Sequence, residues 1–296
     1  MTSAWQHGFI AVDWGTTNRR AYRIDAAGRC TDRFEDGRGV LSVVDNDFAG
    51  AVVEIARQLG DEPMLLAGMV GSNRGWSDAG YVAAPAGLAD LAAALHWVVP
   101  GRAAIVPGVS LVDDVRCDVM RGEEVQALGA VVAGMIPPDV LLCHPGTHTK
   151  WIMLTGGQVT GFRTAMTGEL FALLKDHSIL SGQLQAPAGV GPAFCDGVDV
   201  ALSGEPLLAT LFGVRSAMLL GRLPDEDAAS YASGLLIGSD VAAHCKPGSG
   251  PVALIGRPEL CTLYAAALER AGHSPSVGDG AQAFVAGMTA IWRTLR

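Results

Sequence analysis

The sequence predicts an α/β protein of two related domains, and three observations support this prediction. Short apolar runs of strand length alternate along the chain with segments of helical period. A buried strand, a Gly-Thr turn and a return strand occur twice, with the turns Gly15-Thr16 and Gly146-Thr147 offset by 131 residues. Pro137-Pro138 interrupts the chain between the two copies. We therefore predict one domain in residues 1–137 and a second in residues 138–296.

The first domain opens with strands. Residues 9–13 form an apolar run that ends before Gly15, and residues 20–34 predict a hairpin of two further strands. Residues 47–59 have apolar side chains at helical spacing, which predicts an amphipathic helix. A second buried strand is predicted over residues 64–67, just before a glycine-rich stretch, and residues 123–135 predict the last helix of the domain.

The second domain repeats this layout. Residues 140–143 form an apolar run before the Gly146-Thr147 turn, and two return strands follow, as in the first domain. Residues 252–256 predict a strand that ends in a glycine, and a helix predicted over 258–271 begins directly after it. This arrangement lets the backbone approach a ligand closely. Residues 281–295 predict a terminal helix.

Composition excludes several classes of protein. Of the 296 residues, 49% are hydrophobic and 17% charged, which excludes wholesale disorder and supplies apolar material for two cores. The net charge of −9 argues against a nucleic-acid or anionic-membrane surface, and no apolar run reaches the roughly 18 residues of a membrane span. The six cysteines are scattered, which favours a reducing cytoplasm. The sequence leaves open whether the chain forms homo-oligomers.

The segment from Asp13 to Asn18 is the strongest candidate site. A carboxylate at a strand end can hold Mg²⁺ directly or through water. Gly15 lets backbone N–H groups approach a phosphate, and the hydroxyls of Thr16 and Thr17 add donors. The alternative is an ordinary hairpin turn with the same residue types. The matching turn one domain later favours phosphate binding, and no Walker A loop or complete G-x-G-x-x-G offers another phosphate site.

Taken in order, a set of motifs closely resembles the 2-dehydro-3-deoxygalactonokinase family of the actin, Hsp70 and sugar-kinase superfamily. The motifs lie at residues 10–18, 68–76, 119–126, 145–151, 166–171 and 177–178. The resemblance runs from residue 10 to about 270, and Thr149 stands where we expect serine. It implies two ribonuclease-H-like domains with mixed sheets flanked by helices, and a nucleotide cleft between them. It also implies transfer of a phosphoryl group from ATP, with Mg²⁺, to the 6-hydroxyl of 2-dehydro-3-deoxy-D-galactonate.

Both turns are assigned to ATP phosphate, and Gly256 to the adenosine site that the superfamily places after such a strand. An ordinary strand–helix turn is the alternative for Gly256, and a solvated lysine is the alternative for Lys150. The ATP-binding residues are Gly15, Thr16, Thr17, Asn18, Gly146, Thr147, His148, Thr149, Lys150 and Gly256.

Metal binding is assigned to Asp13 alone. By layout His144 occupies the place of Asp13 in the second domain, where many members of the superfamily carry a second aspartate. His144 and His148 have the spacing of a zinc pair, but Pro145-Gly146 between them excludes the helix that such a pair needs.

Phosphoryl transfer to a hydroxyl needs a proton acceptor, and Glu123 and Glu124 are the candidates. They open a predicted helix and point about 100° apart, so one is expected to face the cleft and the other solvent. The alternative is a first turn that is acidic because it suits the helix dipole. The sequence does not choose between the two glutamates, and Asp113, Asp114 and Asp118 upstream are rival candidates.

A 2-keto-3-deoxy sugar acid needs cationic and polar partners for its carboxylate and hydroxyls. The loop after the strand at 64–67 supplies several, and the second domain adds an arginine and the glutamate of the Met-Thr-Gly-Glu motif. The candidates are Ser72, Asn73, Arg74, Trp76, Arg163 and Glu169. The arginines could instead form surface ion pairs, Trp76 could belong to the core, and Glu169 could cap its own helix.

Two other functions remain open from the sequence. One is an ATPase of the same fold that is not a kinase, either a phosphohydrolase or a chaperone-like switch. The other is a kinase for a different sugar acid.

Overall fold

The computed structural model describes residues 3–246, 248 and 250–295. In these residues, mixed sheets are flanked by helices. The strands are β1 (Gly8–Trp14), β2 (Arg19–Asp25), β3 (Cys30–Asp36), β4 (Met64–Ala67), β5 (Tyr81–Ala83), β6 (His96–Val99), β7 (Ala103–Ile105), β8 (Gly108–Val112), β9 (Cys117–Met120), β10 (Val140–His144), β11 (Thr149–Thr155), β12 (Gln158–Ala165), β13 (Val252–Gly256) and β14 (Ser276–Asp279). The helices are α1 (Phe48–Leu59), α2 (Leu88–Ala93), α3 (Glu123–Val132), α4 (Thr167–His177), α5 (Pro192–Leu202), α6 (Leu207–Leu219), α7 (Asp225–His244), α8 (Pro258–Arg270) and α9 (Gly280–Arg293).

The two large sheets share one topology. The first has the strand order β3-β2-β1-β4-β7-β6 and the second β12-β11-β10-β13-β14. In each, the first strand has its hairpin partner on one side and a later strand on the other. β1 pairs with β2 antiparallel and with β4 parallel, and β10 likewise pairs with β13 parallel. The internal repeat predicted from the two Gly-Thr turns is therefore confirmed as a repeat of sheet topology.

Contacts divide the chain into two compact units. The first comprises the chain up to Asp139, Met153–Phe162 and the segment from Asp279 onward, and the second comprises Val140–Ile152 and Arg163–Gly278. This division differs from a single domain over 138–296, because the terminal helix packs within the first unit. A Cβ at Gly129 on α3 would lie 2.0 Å from the Ala283 carbonyl oxygen on α9, so the two helices are in backbone contact.

Helix α1 shows how local pattern determines an element. Its buried residues Phe48, Ala51, Ile55 and Leu59 recur at three- and four-residue intervals and form one face. The Asp47 side chain accepts a hydrogen bond from the Gly50 N–H and caps the first turn. The predicted boundaries, 47–59, agree with the observed helix to within one residue.

Helix α7 was not predicted from the sequence. Its buried residues are mostly small and lie on every side of the helix, so they leave no apolar stripe of helical period. Helix α5 packs along it so closely that a Cβ at Gly197 would lie 2.3 Å from the Tyr231 carbonyl oxygen. Within the part of the chain that the structure describes, neither α7 nor any other helix has the length and apolar character to cross a membrane.

Candidate active site

The first Gly-Thr turn is held by its carbonyl oxygens. The Gly15 N–H donates to the Asn18 carbonyl oxygen, and the three N–H groups of residues 39–41 donate to the carbonyls of Gly15, Thr16 and Thr17 at 3.0–3.3 Å. No acceptor for the N–H groups of Thr16 and Thr17 lies among the described residues. Their side chains and that of Asn18 are exposed. The turn therefore presents donors outward, as an anion requires.

Asp13 lies at the end of β1, opposite Arg20 of β2. Its Oδ2 is 2.9 Å from Arg20 Nη2. Burial raises the pKa of Asp13, the charge of Arg20 opposes this, and the nearby charge of Glu123 raises the pKa further. Two carboxylates thus approach each other at the end of β1, where a cation would offset their repulsion.

The described residues contain no group of three or more His, Cys, Asp or Glu side chains that could hold a metal ion. A metal held by Asp13 would therefore take most of its ligands from water or substrate. This suits Mg²⁺, which keeps several waters and is bound through one or two carboxylates and substrate phosphates.

Two glycines allow the loops around Asp13 to come together. Gly68 has φ +91°, and a Cβ there would lie 2.9 Å from the Trp14 carbonyl oxygen and 3.6 Å from Asp13 Oδ1. Gly122 has φ +105°, and its Cβ would lie 3.2 Å from Gly68 Cα. A side chain at either position would push these loops apart. The close approach of Gly122 brings Glu123, at the start of α3, toward Asp13.

Glu123 and Glu124 have different surroundings. Both carboxylate oxygens of Glu124 accept from the Gly122 N–H, at 2.7 and 2.8 Å, and the residue is fully buried. Burial, followed by the charge of Glu123, raises the pKa of Glu124 to about 8. Glu123 is half-buried and accepts from the Arg121 N–H at 3.0 Å. The expected division into a cleft-facing and a solvent-facing glutamate is wrong, because Glu124 caps the start of α3 in the interior.

The glycine-rich loop after β4 contains two structural and two exposed residues. The Ser72 hydroxyl donates to the Met69 carbonyl oxygen at 2.8 Å and accepts from the Arg74 N–H at 3.2 Å. Trp76 stacks on Phe48 with ring centroids 6.4 Å apart and packs against the core. This agrees with the alternative assignment of Trp76 to the core. The side chains of Asn73 and Arg74 are exposed. Ser72 and Trp76 therefore shape the loop, and the exposed pair is free to meet a ligand.

Sequence reasoning did not select Arg121, which lies immediately before Gly122. Its side chain is 5% exposed, its Nη2 donates to the Gly80 carbonyl oxygen at 3.1 Å, and its guanidinium carbon lies 4.4 Å from the Tyr81 ring centroid. Its Nη1 is buried without a partner among the described residues, and a Cβ at Gly71 would lie 3.0 Å from it. Arg121 therefore braces the glycine-rich loop against the strand that leads to Glu123.

The second Gly-Thr turn packs against the start of α4. The Glu169 N–H donates to the Thr147 carbonyl oxygen at 2.9 Å, and a Cβ at Gly168 would lie only 2.4 Å from the Gly146 carbonyl oxygen. The Met-Thr-Gly-Glu motif thus needs its glycine to let the helix reach the turn. Glu169 Oε2 lies 2.5 Å from Nε2 of His148, so Glu169 partners the turn and does not cap its own helix.

The next two residues, Thr149 and Lys150, are buried. The Thr149 hydroxyl is 2.9 Å from the Tyr264 hydroxyl, and Lys150 Nζ donates to Thr164 Oγ1 at 2.7 Å. Lys150 is therefore not the solvated lysine of the alternative assignment. Arg163, also in the second unit, is exposed on β12.

A cavity lies beside the second turn, within the second unit. Its volume is about 430 Å³, within the range of small-ligand pockets. Gly146, Thr147, Arg257 and Glu259 line it, and helix α8 begins beside it at Pro258, as predicted. Its walls are largely apolar, with Phe171, Ala172, Ala188, Leu236, Ile237, Leu260 and Leu263. We name it the α4–α8 cavity.

Asp240 connects two residues that line the α4–α8 cavity and was missed by sequence reasoning. The residue is 7% exposed, and its carboxylate accepts from Trp151 Nε1 at 2.9 Å, from the Thr167 hydroxyl at 2.8 Å and from the Tyr264 hydroxyl at 2.5 Å. Thr167 and Tyr264 both line the cavity. Burial and then the charge of Asp240 raise the pKa of Tyr264 well above its usual value. The one sequence signal was an acidic residue within an otherwise apolar stretch.

Replacing Asp240 by asparagine is expected to loosen these walls and raise the KM for a ligand of the α4–α8 cavity about tenfold, because hydrogen bonds to a buried charged group are lost. Steady-state kinetics with ATP as the varied substrate measures this, since ATP is the ligand that the resemblance implies. Asp225→Asn, at the exposed start of the same helix, is the matched control. A lower melting temperature with an unchanged KM for ATP would show that Asp240 supports the fold but not the cavity.

A protein solved with a bound nucleotide analogue has a similar fold. The activator of 2-hydroxyisocaproyl-CoA dehydratase from Clostridium difficile, solved with bound ADPNP, superposes with a TM-score of 0.54 at 10% identity over 97% of this chain and 95% of that chain. This similarity concerns the fold alone. Together with the duplicated sheet topology, it identifies the fold as that of the actin-like ATPases and sugar kinases.

Closer relatives narrow this class to the carbohydrate kinases. A 2-dehydro-3-deoxygalactonokinase from Escherichia coli strain K12 is 35% identical over 291 residues, covering 96% of this chain and 97% of that protein. A crystal structure from Sinorhizobium meliloti, assigned provisionally as a 2-dehydro-3-deoxygalactonokinase, superposes with a TM-score of 0.89 at 36% identity, covering 97% of this chain and 99% of that chain. The model of the 2-keto-3-deoxy-galactonokinase family matches residues 13–291. The chain belongs to this family.

Proposed function

We propose that the protein phosphorylates 2-dehydro-3-deoxy-D-galactonate with ATP at the 6-hydroxyl, giving 2-dehydro-3-deoxy-6-phospho-D-galactonate in galactonate and galactose catabolism. The name of the Escherichia coli relative supports the substrate. The observation that carries the proposal is the approach of Asp13 and Glu123 at the end of β1, where Gly68 begins the glycine-rich loop.

Glu123 is the proposed proton acceptor for the sugar hydroxyl. It is half-buried, follows the loop that contacts Gly68, and its carboxylate is oriented by the Arg121 N–H. Glu124 is fully buried and already bound to the Gly122 N–H. A base has to reach its proton within hydrogen-bond distance, so accessibility favours Glu123.

Mg²⁺ is the proposed metal, and its donor set would be the Asp13 carboxylate with waters and phosphate oxygens. When bound, it would neutralise phosphate charge during transfer. Arg20 holds Asp13 in position. Burial raises the pKa of Asp13 most, and the charge of Glu123 raises it further; a cation here would offset the repulsion between the two carboxylates.

The sugar-acid carboxylate is assigned to Arg74. A guanidinium offers two parallel N–H donors to a carboxylate, and Arg74 is exposed on the loop that Ser72 holds in shape. Asn73, exposed beside it, would accept or donate to a sugar hydroxyl. Arg163 is the second candidate for the carboxylate.

The α4–α8 cavity is the proposed adenosine site. Its apolar walls suit a purine face, and Gly146 and Thr147 of the second turn also line it. The first turn, at Gly15, is assigned to phosphate because the N–H groups of Thr16 and Thr17 have no acceptor among the described residues. The six cysteines are free thiols, which is compatible with the cytoplasmic location we propose.

The proposal is tested by measuring ADP release with ATP, Mg²⁺ and a panel of sugar acids. We expect release to depend on 2-dehydro-3-deoxy-D-galactonate, and ³¹P-coupled NMR of the product to place the phosphate on carbon 6. Release that is independent of any sugar acid would contradict kinase activity. Preference for another acid of the panel would overturn the assigned substrate only.

Replacing Gly146 by valine is expected to raise the KM for ATP at least about tenfold and to leave the KM for the sugar acid nearly unchanged, because the side chain would occupy the phosphate position. The fold should tolerate the change, since a Cβ at Gly146 would lie 3.6 Å from the nearest atom outside its neighbours and φ is not positive. Kinetics with each substrate varied in turn, and a thermal unfolding curve, measure both effects.

Gly161→Val is the matched control, because a Cβ at Gly161 on β12 meets nothing within 4 Å. Equal increases of both KM values in Gly146→Val, or a KM for ATP equal to that of the control, would show that this turn does not hold phosphate.

A further inference from the structure

We propose that the first unit contains a second ligand site, which binds a small anion carrying phosphate or carboxylate groups. The site is a cavity of about 490 Å³ enclosed by the β2–β3 hairpin, the end of α3 and helix α9, and we name it the hairpin cavity. None of the residues that line it belongs to the candidate active site. The inference therefore does not rest on the proposed function.

Two arginines in the hairpin cavity lack the partners that neighbouring arginines have. Arg20, Arg23 and Arg29 on the same hairpin each pair with a carboxylate. No hydrogen bond or ion pair joins the guanidinium of Arg33 or Arg293 to any described residue. Two unpaired guanidinium groups at one cavity favour an anion, since each offers a fork of N–H donors to phosphate or carboxylate.

The positions of these arginines follow from the fold. Arg33 lies opposite Tyr22 in the antiparallel pairing of β2 and β3, so their side chains share one face of the sheet. Arg293 ends α9, and a Cβ at Gly28 in the hairpin turn would lie 3.1 Å from its Nη2. The absence of a side chain at Gly28 therefore leaves room for the guanidinium at the hairpin. The hairpin and α9 place both cations on the same cavity.

The remaining polar groups of the cavity add donors. Tyr22 is 5% exposed, and burial raises its pKa, so its phenol keeps its proton. Thr289 is 6% exposed, and its hydroxyl is buried without a partner among the described residues. The carboxylate of Asp279 is engaged at the start of α9, where it accepts from the N–H groups of Ala281 and Gln282. The described lining thus has more free donors than acceptors, and its volume exceeds that of a single phosphate ion, which fits a small phosphorylated or carboxylated metabolite.

Cys30 makes the proposal directly testable, because this exposed thiol lines the hairpin cavity. Cys117, the other exposed cysteine, lies on β9 outside the cavity lining and serves as a control within the same molecule. Alkylation by iodoacetamide is followed at both thiols by peptide mass spectrometry, with millimolar inorganic phosphate or malonate as the probe anion. We expect at least one probe to slow alkylation of Cys30 about fivefold or more, with the rate at Cys117 unchanged.

Variants test whether the two arginines hold the anion. In Arg33→Gln/Arg293→Gln, the probe concentration for half-protection of Cys30 is expected to rise at least about tenfold. Arg57→Gln/Arg222→Gln removes the same charge at exposed positions elsewhere. In this variant, the probe concentration for half-protection of Cys30 should equal that of the unmodified protein. Both double variants need unfolding curves that match the unmodified protein. Protection by neither anion, equal slowing of Cys117, or protection that survives Arg33→Gln/Arg293→Gln would overturn the proposal.

Discussion

Replacing Asp13 by asparagine is expected to lower kcat at least about a hundredfold while the protein stays folded. The change keeps the shape of the side chain and removes the charge that would hold the metal, so charge stabilisation in the transition state is lost. Burial already raises the pKa of Asp13 and disfavours its charged form, so the uncharged amide should be accommodated in the folded state. The measurement is kcat at saturating ATP, sugar acid and Mg²⁺, together with a denaturant unfolding curve.

Glu35→Gln is the matched control for Asp13→Asn. Glu35 is exposed on β3, pairs in register with Arg20, and its charge also raises the pKa of Asp13. Its replacement removes one negative charge from the same face of the sheet without touching the end of β1. We expect its kcat to stay within about twofold of the unmodified enzyme. If Asp13→Asn and Glu35→Gln gave similar kcat values, Asp13 would have no specific part in the reaction.

Replacing Glu123 by glutamine is expected to lower kcat by about 10² to 10⁴ with a smaller effect on KM, as for loss of a general base. Glu124→Gln, the adjacent change on the same helix turn, should retain most of kcat. The physical reason is that Glu123 is half-buried near Asp13, whereas Glu124 is fully buried and bound to the Gly122 N–H. Steady-state kinetics of the two variants under saturating conditions makes the comparison. Loss of kcat in Glu124→Gln alone would reverse the assignment.

The Glu123→Gln and Glu124→Gln variants should also differ in how their free energy of unfolding depends on pH. Burial raises the pKa of Glu124 from 4.5 to about 8, so the folded protein holds this proton over a pH range in which the unfolded chain has released it. The contribution of Glu124 to the free energy of unfolding is therefore full below pH 4.5 and is lost as the pH rises to about 8. Glu124→Gln should lack this decrease, and Glu123→Gln should retain it. Equal slopes in urea unfolding from pH 5 to 8 would contradict the buried position of Glu124.

The sequence was sufficient for features that local pattern specifies. The strand before each Gly-Thr turn, the amphipathic helix α1 and the helix that begins at Pro258 follow from apolar spacing, caps and turn residues within a few positions. The two turns could also be recognised as a repeat, because each lies between a buried strand and a return strand. These signals were enough to predict the fold class and to select Asp13 and the adjacent Glu123 and Glu124 as candidates.

Contacts between distant segments could not be predicted in this way. Helix α7 has no apolar stripe, so neither its existence nor the connection of Asp240 to Trp151, Thr167 and Tyr264 was visible in the sequence. The terminal helix α9 was predicted as an element, but its packing on α3 in the first unit was not. Each of these features depends on which faces meet, and the spacing of one segment carries no information about its partner.

The adjacent glutamates Glu123 and Glu124 show the same difference between what local sequence determines and what tertiary packing decides. The sequence by itself determined that two carboxylates open α3 and that an aspartate ends β1. Only the tertiary structure decided that Gly122 packs on Gly68, which places Glu123 near Asp13 and Glu124 in the interior. The physical reason is that burial and electrostatic coupling arise when segments far apart in the chain pack together, whereas helix and strand periodicity is encoded within each segment.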